Sequence, residues 1–260
     1  MKHSLAFIHP DAKLDPSVKV GPFVTIAGNV EIGEGTIIDP NVTIMEGVRI
    51  GKNCRISSGA VIGGLPQDLK FRGEDSLVII GDSTTIRECV TINRGTLAKG
   101  KTVVGSNCLL MAYVHIAHDC ILGDNIILGN ATQVAGEVEI DDWAILGGGT
   151  LVHQFSKVGA HTMTQGGSKV NKDLPPFITA GREPLQFAGV NSIGLRRREY
   201  SNEKIGEIQE IYRILYQSGM NISNAIEQVE EEIPASEERD MIVEFVKNSP
   251  RGIVRGYFEK

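Results

Sequence analysis

The chain has 260 residues, 41% of them hydrophobic and 22% charged, with 30 glycines and only 5% aromatics. That length suffices for one large domain with an appendage, and the composition excludes a disordered or collagen-like chain. A net charge of -6, from 26 Lys+Arg against 32 Asp+Glu, argues against nonspecific nucleic-acid binding, which depends on neutralising phosphates.

From the N-terminus, Leu5 to Ile8 is too short for a signal sequence, and no run of roughly 18 apolar residues follows. The expectation is therefore a cytoplasmic protein without a transmembrane segment. Cys54, Cys89, Cys108 and Cys120 contain no CxxC-type pair and read as reduced core thiols.

A six-residue period begins at Ile8 and runs through Leu14, Val20 and Ile26 to Ile62. It resumes at Ile80, and again at Val104, and ends at Val170. Of the 28 positions in this register, 24 are Ile, Leu or Val, the exceptions being Asp68, Glu74, Ala98 and Thr164. Aliphatics scattered over about a quarter of positions would give roughly seven. This period fits neither the 3.6 of a helix nor an alternating strand ending in a hairpin. It fits a triangular parallel β-helix, in which each hexad supplies a short strand and a corner, and three hexads make an 18-residue coil. Residues 18 apart then stack at about the 4.8 Å strand spacing.

The expected β-helix covers residues 1–171, with loops extruded at about 64–75 and 95–101, where charge, Gly and Lys break the register. Lys172-Asp173-Leu174-Pro175-Pro176 stops the period and opens a connecting segment and helical domain over 172–260. Ser201 reads as an N-cap for a helix carrying Ile205, Ile208, Ile211, Tyr212 and Leu215 as far as Gly219. Further helices are predicted from Ser223 to Ile233 and from Ser236 to about Lys247.

The stacking arithmetic places chemistry. His118, Gly136 and Gln154 fall in one column, beside a column of Ala117, Ala135 and His153. An imidazole, an accessible backbone N–H and polar side chains on one corner are the minimum kit for acyl transfer: a base near neutral pKa and an oxyanion donor. Asp119 is adjacent and could orient the imidazole. Two other uses of these residues stay open. Histidines contributed by several chains could hold zinc, but no intact ligand pattern is present, so no metal or cofactor is expected; Cys120 could be a nucleophile, but a core thiol is the simpler reading.

Six segments carry a resemblance to a known family. They are Gln67-Asp68-Leu69-Lys70, Ile86-Arg87-Glu88 with Val90-Thr91-Ile92, Arg94-Gly95-Thr96, His115-Ile116-Ala117-His118-Asp119, His153-Gln154-Phe155, and Gly194-Leu195 with Arg196-Arg197-Arg198. In this order they resemble the UDP-N-acetylglucosamine acyltransferases of lipid A synthesis, over essentially the whole chain. The resemblance implies a left-handed coil, an all-β fold with a C-terminal α-helical domain, and metal-free transfer of an R-3-hydroxyacyl group from acyl carrier protein to the 3-hydroxyl of UDP-N-acetylglucosamine. It implies His118 as general base and Gly136 as oxyanion donor. Gln67, Asp68, Lys70, His115, His153, Gln154, Asn191 and Arg197 would line the sugar-nucleotide site, and Gly166 with Met163 would set acyl length.

Two departures bear on the acceptor: Glu137 stands where the family has a sugar-contacting histidine, and Ile193 where it has an acidic residue. They leave a 3-amino sugar nucleotide as an alternative acceptor. A related N-acyltransferase acting on a UDP-glucosamine acceptor carries an N-terminal uridine-binding domain, for which a period starting at Ile8 leaves no room. A noncatalytic scaffold would need no His118 column. The flat prism faces predict a homotrimer with sites between subunits, and Arg196, Arg197 and Arg198 predict a basic surface for the carrier protein or the nucleotide phosphates.

Overall fold

A computed structural model describes residues 2–256. The chain winds as a left-handed parallel β-helix whose three faces are sheets of nine, eight and ten strands. Neighbouring strands on a face are mostly 18 residues apart, as in His115 to Gln133 to Leu151 on the nine-stranded face. That face has two exceptions. Ile62 pairs with Ile92 and Ile92 with Ile116, separations of 30 and 24 residues. The extra residues lie between strands Val61–Gly64 and Leu77–Ile80, and between Thr91–Asn93 and Lys101–Val104. Both insertions are whole multiples of six, so the hexad phase survives each loop.

Most hexads repeat the same local physics. Its first residue is the large aliphatic pointing inward, fully buried at Ile92, Ile116 and Val134, and its fifth is a smaller buried residue such as Val114, Val138 or Thr132. Burying each large aliphatic contributes about 1.5–3 kcal/mol. Three cysteines belong to that fifth position: Cys54, Cys108 and Cys120 are core thiols, with burial pushing Cys108 up to about 11 and Cys120 up to about 12. Cys89 corrects the sequence reading. It occupies a fourth position and is exposed.

The fourth position turns the corner in the left-handed region, at φ of 60° for Asn41, 56° for Asn107 and 60° for Asp119. The second position is often glycine because the next coil passes too close for a side chain. A Cβ on Gly123 would sit 2.1 Å from Asp142 Oδ1, the oxygen that accepts the Asp124 N–H at 2.7 Å. The third-position carbonyl accepts from the next coil, as Pro22 does from the Asn41 N–H, but at most corners its N–H stands outside the backbone ladder, and Pro10, Pro16, Pro22 and Pro40 occupy it without loss.

The parallel ladder outlasts the hexad. After Val170 the corner is two residues short, so Leu174 bridges Val158 and Thr179 pairs with Met163, both 16 apart. Strand Ile178–Gly181 thus extends the ten-stranded face and then forms an antiparallel hairpin with Gln186–Val190. Four helices follow: α1 (Ser192–Arg197), α2 (Asn202–Gln217), α3 (Ile222–Glu232) and α4 (Glu237–Lys247). Ser201 and Ser236 cap α2 and α4 as expected, but Asn221 rather than Ser223 marks the start of α3. The buried face of α2 closes the prism end. Phe187 of the hairpin stacks on Tyr212 and Tyr216 at 5.3 and 4.6 Å, and the Tyr212 hydroxyl donates to the Pro176 carbonyl. Among the described residues, no helix is long and apolar enough to cross a membrane.

Candidate active site

His118 is a third-position residue at the corner after strand His115–Ile116, and only 7% of it is exposed. Its Nδ1 lies 2.8 Å from Oδ2 of Asp119, which is fully buried. Burial works to raise the Asp119 pKa, but hydrogen bonds from Thr96, His118 and Lys99 outweigh it and hold the carboxyl below its ordinary value. The carboxylate is therefore ionised at neutral pH and can only accept. In the neutral imidazole His118 Nδ1 must then carry the proton, and Nε2 is the nitrogen that can accept one.

The second loop builds this arrangement. The Thr96 amide donates to both Asp119 oxygens at 2.9 and 3.1 Å, the Thr96 hydroxyl donates at 2.7 Å, and the Lys99 amide donates at 3.1 Å. Asp119 in turn gives its own N–H to Thr102 Oγ1 at 2.9 Å. Lys99 anchors the loop to the barrel through an ion pair with Glu139 at 2.9 Å. Sequence reasoning identified the loop but not its purpose, because Thr96 and Asp119 are 23 residues apart and out of register.

One coil further on, Gly136 faces the imidazole. A Cβ there would lie 2.7 Å from both Nε2 and Cε1 of His118. Its N–H donates no hydrogen bond among the described residues, whereas the same amide at Lys52, Ser106 and Asp124 is taken by a side-chain oxygen of the next coil. The Nε2 side of the imidazole and a vacant backbone donor thus sit within one coil spacing. The first loop closes on the same corner: Asp68 Oδ2 lies 4.0 Å from His118 Nε2, while its other oxygen accepts the Lys70 N–H at 2.8 Å. Gln67 and Lys70 flank it and are exposed. Glu74 of this loop accepts the Leu97 N–H at 3.2 Å, so the two loops are tied together.

His115 shares a 2.7 Å hydrogen bond between Nδ1 and Thr91 Oγ1, a partner absent from the sequence reading, and burial lowers its pKa. Glu137 follows Gly136 and donates its N–H to the His118 carbonyl at 3.0 Å, and its side chain is half-buried. Gln154 continues the His118 column, and exposed His153 donates through Nδ1 to the Gln154 carbonyl at 2.9 Å. Cys120 is sealed inside the prism, and its thiol donates to the Ala135 carbonyl at 3.1 Å. With its pKa pushed up to about 12 by burial, it stays protonated and is no nucleophile.

Other expected site residues lie elsewhere in the chain. Gly166 is at a different corner, separated from the His118 corner by the face that carries His115, Gln133, Leu151 and Lys169. Met163 points outward on the ten-stranded face. Asn191 is buried as the N-cap of α1: its side chain accepts the Gly194 N–H at 3.1 Å and donates to the His161 carbonyl at 2.9 Å. Arg197 and Ile193 are exposed on α1. Arg198 is committed internally, stacked 5.0 Å over Trp143 and donating to its carbonyl at 3.1 Å.

The sequence matches family models at three places: bacterial transferase hexapeptide repeats over residues 101–136, the GMPPB C-terminal domain over 3–109, and domain 2 of UDP-N-acetylglucosamine O-acyltransferase over 173–254. It is 46% identical over 258 residues to an acyl-[acyl-carrier-protein]–UDP-N-acetylglucosamine O-acyltransferase of Janthinobacterium sp. (strain Marseille), covering 97% of this chain and 98% of the relative. The structure resembles that of LpxA, a UDP-N-acetylglucosamine acyltransferase from Bacteroides fragilis 9343, with a TM-score of 0.97 and 55% identity over 98% of this chain and 100% of the other. LpxA from Acinetobacter baumannii gives 0.94 and 39%, over 97% and 99%. With such identity sustained along nearly its whole length, the chain belongs to the acyl-[acyl-carrier-protein]–UDP-N-acetylglucosamine O-acyltransferase family.

Proposed function

We infer that this protein transfers an acyl group from the thioester of acyl carrier protein to the 3-hydroxyl of UDP-N-acetylglucosamine, the first step of lipid A biosynthesis. The observation that carries the mechanism is the His118 imidazole held between the Asp119 carboxylate and the vacant Gly136 N–H. A sugar hydroxyl is a poor nucleophile until its proton leaves. His118 Nε2 takes that proton as the sugar oxygen bonds to the thioester carbon. Asp119 stabilises the imidazolium that forms, the carbonyl oxygen gathers negative charge against the Gly136 N–H, and the carbon–sulfur bond then breaks. The imidazolium returns its proton to the departing sulfur. Positioned proton transfer contributes about 10²–10⁴-fold, and an oxyanion donor about 10²–10³-fold.

Asp68, Lys70, His115, His153 and Gln154 bind the sugar nucleotide around this corner, with Gln67 and Glu137 at its rim. The acyl chain crosses the face bearing Gln133 and Leu151 toward Gly166, where a larger residue would shorten the usable groove. Three copies assemble about the prism faces. An outward row of Leu109, Ile127, Ile145 and Met163 on the ten-stranded face supports this, since an apolar stripe on one flat face favours a partner over water. Asn191 and Arg197 then act from the C-terminal segment of a neighbouring copy.

His118→Ala is expected to abolish most turnover of acyl carrier protein and UDP-N-acetylglucosamine while leaving the assembly folded and nucleotide binding largely intact. Near-normal turnover in the folded variant would refute the mechanism.

A further inference from the structure

The helices that close the prism are strongly acidic. Between Asn202 and Lys247 stand eleven Asp and Glu against four Lys and Arg. All four cations are already engaged with acids of the same segment: Lys204 with Glu207 and Glu238, Arg213 with Glu210, Arg239 with Asp240, and Lys247 with Glu230. An acidic partner approaching these helices meets like charge. Of the arginines of α1, Arg198 is stacked on Trp143 and Arg196 donates to Asn202 at 3.1 Å, which leaves Arg197.

Positive charge gathers instead where the His118 column ends. That column runs from His118 through Gly136 and Gln154 to Lys172, which follows Val170 as Gln154 follows Val152. Lys172 is thus two coils below Gly136, on the order of 10 Å away at the strand spacing. Its ammonium donates to the Arg251 carbonyl, and the Arg251 guanidinium donates to the Asn171 carbonyl at 3.2 Å. Arg255 is fixed beside them: the adjoining Ile253 bridges Asp173, and the Arg255 carbonyl accepts the Phe187 N–H at 2.9 Å. Lys169 lies on the adjoining face, paired at 3.5 Å with exposed Glu183 of the hairpin, whose neighbour is Arg182. Five cations therefore share one end of the catalytic column, and the only acids in the same segments are Glu183 and the buried Asp173.

Building on the acyl-transfer reading, we propose that the patch of Lys169, Lys172, Arg182, Arg251 and Arg255 docks the acidic acyl carrier protein, and that α2 to α4 repel it. The thioester arm then enters along the His118 column from this end, and the charge contrast sets the carrier's orientation before the arm is threaded. The exposed cations act through long-range attraction, so their contribution falls with salt.

The test is the double variant Lys169→Glu/Arg255→Glu, assayed with one acyl group on two donors, the carrier protein and a pantetheine thioester without protein. The expected result is a loss of at least about tenfold in kcat/KM for the carrier-borne donor, with a flattened salt dependence and no change for the small thioester. Arg213→Glu on α2 should leave both donors unaffected. The proposal is overturned by an unchanged carrier-protein kcat/KM, by equal losses with both donors, or by an effect confined to the KM for UDP-N-acetylglucosamine, which would assign the patch to the nucleotide phosphates. A wild-type enzyme inert toward every acyl carrier protein would instead overturn the functional reading on which the proposal rests.

Discussion

Thr96 touches no reacting atom in the proposed mechanism, yet it supplies three of the hydrogen bonds that hold the Asp119 carboxylate. Thr96→Val keeps the shape and the amide but removes the hydroxyl. A hydrogen bond to a charged group contributes about 1.5–3 kcal/mol, so kcat is expected to fall at least about tenfold at unchanged KM for UDP-N-acetylglucosamine, with Thr96→Ser restoring most of it. Steady-state kinetics of the two variants checks this. The pairing of His118 with Gly136 was legible because the period converts sequence distance into contact. Nothing periodic links residue 96 to residue 119, so the loop's grip on the carboxylate was not. His161 shows the same limit. It lies 18 residues from Trp143, so the period brings those two together, but nothing periodic announces that Phe177 stacks on its other side and Tyr200 packs against its edge. Burial, and then the charge of Arg198, push its pKa from 6.5 down to about 4. The folded state keeps His161 neutral while the unfolded chain takes up a proton, so stability present above pH 6.5 is lost as the pH falls toward 4. Denaturant unfolding should show this as about 2 kcal/mol lost between pH 7 and pH 5, a loss that His161→Phe removes.

Among the elements, α2 offers a clean measurement of backbone propensity. Gly206 lies in the interior of this helix, is exposed, and has nothing within 4 Å of where a Cβ would be. Gly206→Ala should stabilise the fold by about 1 kcal/mol, read as a melting temperature higher by about 2–4 °C with activity unchanged. The capping serines of α2 and α4 were readable because a local side chain satisfies a local amide. The six-residue α1 was not, being too short to display a period. Its cap, Asn191, is fixed by a contact 30 residues back, at the His161 carbonyl. The strand Ile178–Gly181 escaped sequence reading for a different reason. The shortened corner after Val170 moves it out of phase, so a rule built on 18 loses it although the ladder continues.

For the molecule as a whole, the apolar row on the ten-stranded face makes assembly testable apart from chemistry. Ile127→Arg places a charge in the middle of that row, where its desolvation would cost several kcal/mol if the face is covered. Light scattering should report smaller particles, and turnover should fall with assembly even though His118, Asp119 and Gly136 are untouched. The charge division between the acidic helices and the basic end of the column likewise belongs to no single element, and it was hidden in a net charge of -6. The prolines at third positions carry a last consequence. Since Pro10, Pro16, Pro22 and Pro40 lack the amide hydrogen that Gly136 offers, the coil closes equally well with or without it. The backbone path does not depend on that amide hydrogen, so a proline corner and the Gly136 corner follow the same course. The corner's backbone is thus portable in steps of eighteen residues, and what anchors reactivity to one coil is the pair of loops that breaks the repetition, through Thr96 and Lys99 on Asp119 and through Asp68 beside His118.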